Sequence, residues 1–173
     1  RRAARLAQSG VAAAAAYGAA VTGVQDTHLR SLRATMGAVV EGSTRGKSLT
    51  LILLTSGVPA LDPIYKATTA PVLAWATAAW HHTMPRLTMH SAFAAAVAQI
   101  CNHASPWRQV RGPAGATIAS RNRVGWLPTD AFNWTTHDGA HIDITTTAPS
   151  TLPQLLHGAA EKWHWKKVSH QAE

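Results

Sequence analysis

Acidic side chains are scarce in this chain, which has eight Asp and Glu residues among 173. Paired carboxylates for general acid–base catalysis therefore have few possible positions. Cysteine is scarcer still: the single residue, Cys101, excludes an intramolecular disulfide and a zinc site built from several thiolates. Its apolar neighbours predict that Cys101 is a small, buried core residue. No catalytic constellation stands out from the sequence.

Long apolar runs are also missing. No segment forms the run of ~18 uncharged apolar residues that a membrane-spanning helix requires, so no membrane partner is expected. The N-terminal stretch RRAARLAQSGVAAAAA superficially resembles a targeting peptide, because basic residues precede small apolar ones. It has little bulky hydrophobicity and no initiator Met, and we interpret the chain as a piece of a longer polyprotein or open reading frame.

Basic side chains, in contrast, are in excess. The chain has 16 Lys and Arg residues, a formal net charge of +8 and an isoelectric point near 10.6. Such a balance favours a polyanionic partner, and nucleic acid before a membrane surface. A basic, solvated surface without any partner is the alternative that composition leaves open.

Hydrophobic periodicity predicts a mainly α fold with one β-hairpin (α+β). Asp26 and Asp62 are predicted to cap helices, and Pro71 is predicted to kink or split the second of these. Residues 48–55 fit either a buried strand or a short helix, and Asp138-Gly139 between alternating apolar residues indicates a hairpin. A helical part, 1–103, and a helix–hairpin–helix part, 106–173, are expected. The predicted helices span about 1–24, 27–40, 63–82, 88–103, 113–123 and 149–171.

The loop 42–48 nearly matches a phosphate-binding motif. A P-loop needs G-x-x-x-x-G-K-[ST], and Gly46-Lys47-Ser48 supplies its end. The first glycine of the motif falls on Glu41, whose carboxylate would repel a phosphate, and Gly42 is one residue too late. The alternative interpretation is a helix–loop–helix connection in which Gly42 ends the first helix.

Ten histidines raise the question of a metal site. His137 and His141 have the spacing of two zinc ligands on one helix, but they flank the predicted Asp-Gly turn. We interpret them as polar residues of a hairpin, and no metal site is predicted.

Basic residues beside large aromatic rings are the strongest functional signal. Cations neutralise phosphates, and rings stack on unpaired bases. The alternative is that the Trp residues are core anchors, which we expect for Trp163 because it lies on an apolar helical stripe. The predicted nucleic-acid-binding residues are Arg30, Arg33, Arg45, Lys47, Ser48, Arg108, Arg111, Arg121, Arg123, Trp165, Lys166 and Lys167.

Several of these segments resemble a known family. The stretches AAAAAYGAAVTGV, DTHLRSLRATMGAVV, GSTRGKSLTL and LDPIYKATTAPVLAWATAAW are similar to the region just downstream of the palm in non-LTR (LINE-type) retrotransposon reverse transcriptases, with Tyr17-Gly18 matching a helix end that leads into the thumb. The stretches WRQVRGPAGATIASRNRVGW and EKWHWKKV resemble the extension that follows the polymerase in some retroelements.

The resemblance implies a thumb and C-terminal extension that hold template–primer. The Asp-Asp motif of the palm is absent, so no catalytic residue is carried over, and no cofactor is expected because Mg²⁺ would belong to the missing palm. The implied partners are RNA and/or DNA, above all an RNA–DNA duplex, and the remainder of the parent polyprotein. Two alternatives stay open: a degenerate or helical protein-interaction module without nucleic-acid affinity, and an atypical P-loop-like nucleotide binder.

Overall fold

The computed structural model describes residue 10 and residues 17–56, 61–127 and 130–169, with side chains to Lys166. Within these residues the chain forms seven helices and one two-stranded antiparallel hairpin, which confirms the predicted mainly α class with one hairpin. None of these helices is long and apolar enough to cross a membrane. Their bounds are α1 Ala19–Thr22, α2 Asp26–Glu41, α3 Leu49–Thr55, α4 Pro63–Trp80, α5 Arg86–Ile100, α6 Gly112–Arg123 and α7 Leu152–Ser169, with β1 Asn133–Thr135 and β2 His141–Asp143 between α6 and α7.

Helices α2 and α4 differ in how their N-termini are capped. Asp62 caps α4 as predicted, since its Oδ1 accepts a hydrogen bond from the Ile64 amide at 3.0 Å. The predicted cap of α2 is wrong by one position: Gln25 is the N-cap, and Asp26 is the first helical residue. An acidic residue there still interacts favourably with the positive end of the helix dipole. The alternative that Pro71 splits α4 is also wrong, because the helix continues to Trp80.

Helix α6 lies at the centre of the molecule. Eight consecutive residues, 114–121, are buried, so the helix is enclosed on every side. Small side chains make this possible: a Cβ at Gly115 would lie 3.3 Å from the Val110 backbone and 3.3 Å from Ile100. Thr117 donates a hydrogen bond to the Pro71 carbonyl at 3.1 Å, which ties α6 to α4.

One main hydrophobic core extends from Ala19 to Ala160. It therefore contains residues from both predicted parts, 1–103 and 106–173, and the boundary between those parts stays a prediction about chain organisation. The predicted apolar stripe of α5 is confirmed, with Met89, Phe93 and Ile100 buried. A smaller cluster of Met36, Leu53 and Leu61 attaches α3 to α2.

The predicted hairpin is present. Strand β1 pairs with β2 so that Trp134 faces Ile142, and both side chains are buried. Gly139 has a φ of +83° in the connecting turn, a conformation that glycine adopts without steric cost.

Four further expectations have different outcomes. Residues 49–55 form a helix, which decides between strand and helix for that segment. Cys101 is exposed at the C-cap of α5, so its predicted burial is wrong. Leu155, expected on the apolar stripe of the last helix, is 46% exposed. The predicted helix at 1–24 has residues 1–9 and 11–16 outside the described residues, and Ala19–Thr22 is helical.

Candidate nucleic-acid interface

A cleft of about 400 Å³ opens where α2, α3, α6, α7 and the 3₁₀ turn Pro106–Gln109 meet. The cleft brings together three of the predicted phosphate contacts, Arg30, Arg33 and Arg123. Other predicted basic segments border it, because its lining includes residues directly after Ser48 and directly before Arg108 and Trp165. The full lining consists of Asp26, Leu29, Arg30, Arg33, Leu49, Thr50, Ile64, Pro106, Trp107, Ala119, Asn122, Arg123, Trp163 and His164.

Arg33 forms one wall of the cleft and is held by three neighbours. Its Nε donates to both carboxylate oxygens of Asp62, at 3.0 and 3.1 Å, and its side chain is 15% exposed. Its Nη2 donates to the Thr50 hydroxyl at 3.3 Å and lies 3.2 Å from Nδ1 of His164. A guanidinium has only donors, so Nδ1 of His164 accepts this bond and carries no proton. Arg33 therefore joins α2 to α3, α4 and α7.

Arg123 forms another part of the wall. Its Nη2 and Nε donate to Oδ1 of Asp26 at 2.8 and 3.0 Å, and Nη2 also donates to the Val24 carbonyl. Its Cζ lies 4.3 Å from the centroid of the Trp107 ring, a cation–π geometry. Burial lowers the pKa of Arg123, against the opposite effect of Asp26. Nη1 is buried and has no hydrogen-bond partner in the described part of the chain.

Arg30 differs from these two arginines. Its side chain is exposed at the cleft, and it pairs with no carboxylate among the described residues. The two wall arginines are each neutralised by an aspartate, so Arg30 carries the one positive charge of the three that has no acidic partner. This distinction between Arg30 and Arg33, one turn apart on the same helix, is not visible in the sequence.

The loop 42–48 connects α2 to α3. Gly42, with a φ of +72°, ends α2 by donating its amide to the Ala38 carbonyl, which confirms the helix–loop–helix interpretation. Lys47 binds Glu41 across the loop at 2.9 Å, and Arg45 and Ser48 are exposed.

The remaining predicted contacts lie on exposed surface. Arg108 and Arg111 follow the lining residue Trp107, and Nη1 of Arg111 donates to the carbonyls of Arg108 and Val110. Trp165 is 51% exposed, and Lys166 is exposed beside it. Lys167 belongs to α7, but its side chain lies outside the described residues.

Arg121 does not belong to this surface, and its predicted phosphate contact is corrected. The residue is completely buried, with Cζ 4.5 Å from the centroid of the Trp134 ring and Nη2 donating to the Leu127 carbonyl. Burial lowers its pKa to about 9, although the charge of Asp130 acts in the opposite direction. Arg121 is therefore a core residue, and no phosphate can reach its side chain in this structure.

Trp163, His164 and Asn122 line the cleft, although none of them was selected from the sequence as a binding residue. Trp163 was expected in the core, but it is half-buried and lines the cleft. His164 and Asn122 also line it, and only their positions next to predicted basic residues could have drawn attention to them.

A second pocket of about 280 Å³ lies between α5 and the hairpin. His90 contacts Asp130 there at 3.7 Å, and Arg86 lies over the Phe132 ring at 5.0 Å. No group of three or more metal-ligating side chains occurs in the part of the chain that the structure describes.

The chain matches no protein-family model, and comparisons with curated proteins and with solved structures found no match either.

Proposed function

We propose that this chain is a non-catalytic nucleic-acid-binding segment that holds template–primer in a retrotransposon reverse transcriptase. The observation that supports the proposal most is convergence: three of the selected arginines, Arg30 and Arg33 on α2 and Arg123 on α6, line one cleft. Scattered arginines, the mark of a module without nucleic-acid affinity, would have no reason to converge in this way.

Exposed cations would provide the phosphate contacts. Arg30, Arg45, Arg108 and Arg111 are exposed, and none forms an ion pair within the described residues. Four phosphate contacts would give a slope of about −4 in a plot of log K against log salt concentration. Arg33 and Arg123 would shape the cleft without adding to this slope, because their charges are already compensated.

The test is a fluorescence-anisotropy titration with an RNA–DNA hybrid duplex at several salt concentrations. Arg30→Gln should weaken binding and reduce the slope by about one unit. Arg86→Gln removes the same charge at the second pocket and should leave the slope unchanged, because Arg86 lies outside the cleft. Absent or salt-independent binding would refute the proposal and favour the protein-interaction module.

The proposed parentage has its own test. The reading frame upstream of Arg1 should encode a palm with an adjacent Asp-Asp pair. A different upstream domain would refute the reverse-transcriptase origin while leaving nucleic-acid binding open to the titration.

A further inference from the structure

We propose that the cleft receives a single unpaired nucleotide at the end of a strand, with its base against Trp163 and its phosphate on Arg30. This inference rests on the proposed nucleic-acid binding and adds which part of the nucleic acid enters the cleft. The size, charge and aromatic lining of the cleft each support it.

The size of the cleft selects a small ligand. Pockets for small molecules have volumes of roughly 300–1,000 Å³, and this cleft, at about 400 Å³, is near the lower limit. One nucleotide fits such a volume, whereas a double helix does not. A duplex would therefore lie across the mouth, on the exposed cations, and only an unpaired end would enter.

The charges of the cleft select one phosphate. Asp62 and Asp26 already neutralise Arg33 and Arg123, and Asp26 also belongs to the lining. A chain of several phosphates would therefore meet the carboxylate of Asp26 and only one uncompensated arginine. Arg30 at the opening remains for a single phosphate. This pattern also differs from a triphosphate site, where several cations and backbone amides surround the ligand.

The aromatic lining provides a place for a base. The Trp107 ring already has the guanidinium of Arg123 on it, and the ring packs against Gly23, where an added Cβ would be 2.5 Å from Cζ3. Trp163 is the second ring of the lining. It makes contacts of its own within the protein, but it is only half-buried, so part of its surface is exposed at the cleft. The side-chain amide of Asn122, also in the lining, can donate to and accept from the edge of a base.

The experiment compares one RNA–DNA duplex with blunt ends and with overhangs of one or two unpaired nucleotides, at the 3′ or the 5′ end. We expect the first unpaired nucleotide at one of these ends to tighten binding by about tenfold, the size of a base–aromatic stack. The second nucleotide should add less than about twofold, because the cleft holds one.

Substitutions of Trp163 test whether its ring causes this gain in affinity. Trp163→Leu should abolish it, Trp163→Phe should retain most of it, and Trp80→Leu, at an exposed position outside the cleft, should leave it intact. The blunt duplex should bind all three variants with nearly the same Kd, and thermal melting shows whether each is folded. If Trp163→Leu does not fold, Trp163→Phe and the overhang series still test whether the cleft binds one unpaired nucleotide.

The outcomes separate the two proposals. No binding of any duplex refutes the proposed function and the inference together. Blunt-duplex binding without an overhang effect refutes the inference alone, as does an overhang effect that Trp163→Leu keeps. Competition with free AMP distinguishes the two sources of a nucleotide: displacement at micromolar AMP would assign the cleft to a free nucleotide and overturn the strand-end inference.

Discussion

Replacing the buried Arg121 by methionine should stabilise the protein. Arg121 is completely buried, and only its Nη2 forms a hydrogen bond, to the Leu127 carbonyl. Nε and Nη1 are buried without a partner in the described residues. Methionine is unbranched and of similar length, so it can lie against the Trp134 ring as the arginine does.

The expected change in the free energy of unfolding is the difference between opposing contributions. Each buried unsatisfied donor costs roughly 1–3 kcal/mol, so the two on Arg121 cost about 2–6 kcal/mol. Against this, a desolvated cation–π contact with Trp134 contributes about 2 kcal/mol, and the hydrogen bond to Leu127 contributes about 1–2 kcal/mol. The carbonyl left behind belongs to an exposed residue and can bind water. The midpoints of these terms, about 4 against about 3.5 kcal/mol, leave a gain of about 0.5 kcal/mol, and the contact of the methionine sulfur with Trp134 adds about 0.3–1.5 kcal/mol. We expect Arg121→Met to raise the free energy of unfolding by about 1–2 kcal/mol in total.

Chemical denaturation with urea measures this difference. Arg121→Ala should instead lose about 2–4 kcal/mol, because it leaves a cavity between Phe93 and Trp134. Arg86→Met is the matched control: Arg86 also lies over a ring, that of Phe132, but it is exposed, and its replacement should change stability little. A loss of more than about 1 kcal/mol in Arg121→Met would refute the reasoning, since the buried charge would then be compensated.

The pH dependence provides an independent check. Burial lowers the pKa of Arg121 to about 9, well below the pKa of a solvated guanidinium in the unfolded chain. Between these values the unfolded chain binds the proton and the folded chain does not, so the wild type gains stability with rising pH relative to Arg121→Met. The advantage of the variant should therefore be largest below pH 8 and shrink above pH 9. An advantage that is constant from pH 7 to 10 would contradict this account.

The remaining predictions concern the walls of the cleft. Gly23→Ala should destabilise the protein by about 3 kcal/mol, because a φ of +66° is unfavourable for alanine and the new methyl would overlap Trp107. Gly46→Ala, with a similar φ and open space around it, should lose only about 1 kcal/mol, and equal losses would argue against the overlap. Asp62→Asn keeps a cap for α4 but leaves Arg33 unpaired, and should lose about 3 kcal/mol in urea denaturation. Glu41→Gln, at an exposed pair, should lose much less, and a comparable loss would show that the buried position of Asp62 does not matter.

Local patterns predicted much of the fold. The Asp62-Pro63 start of α4, the end of α2 at Gly42 and the Asp-Gly hairpin each depend on neighbouring residues, and the structure confirms them. The failures have different origins. Asp26 binds Arg123, which lies 97 residues away, and Cys101 is exposed at the C-cap of α5.

The site was predictable only in part. The sequence identified the basic segments, but it could not show that Arg33 and Arg123 find buried or nearby aspartates whereas Arg30 does not. The burial of Arg121 did leave a signal: Ala114, Thr117 and Ile118 lie seven, four and three residues earlier, on the same helical face. All of them are buried, so that face pointed to the core.

The small side chains of α6 also have a consequence for divergence. Surface positions of this chain can accumulate substitutions with little effect on stability. Each larger side chain on the enclosed segment 114–121 would displace a neighbouring helix, at a cost of about 1–3 kcal/mol. A homologue that has lost recognisable similarity elsewhere should therefore still carry a run of Ala, Gly, Ser and Thr here, interrupted by one aliphatic residue at the position of Ile118 and followed by a basic residue.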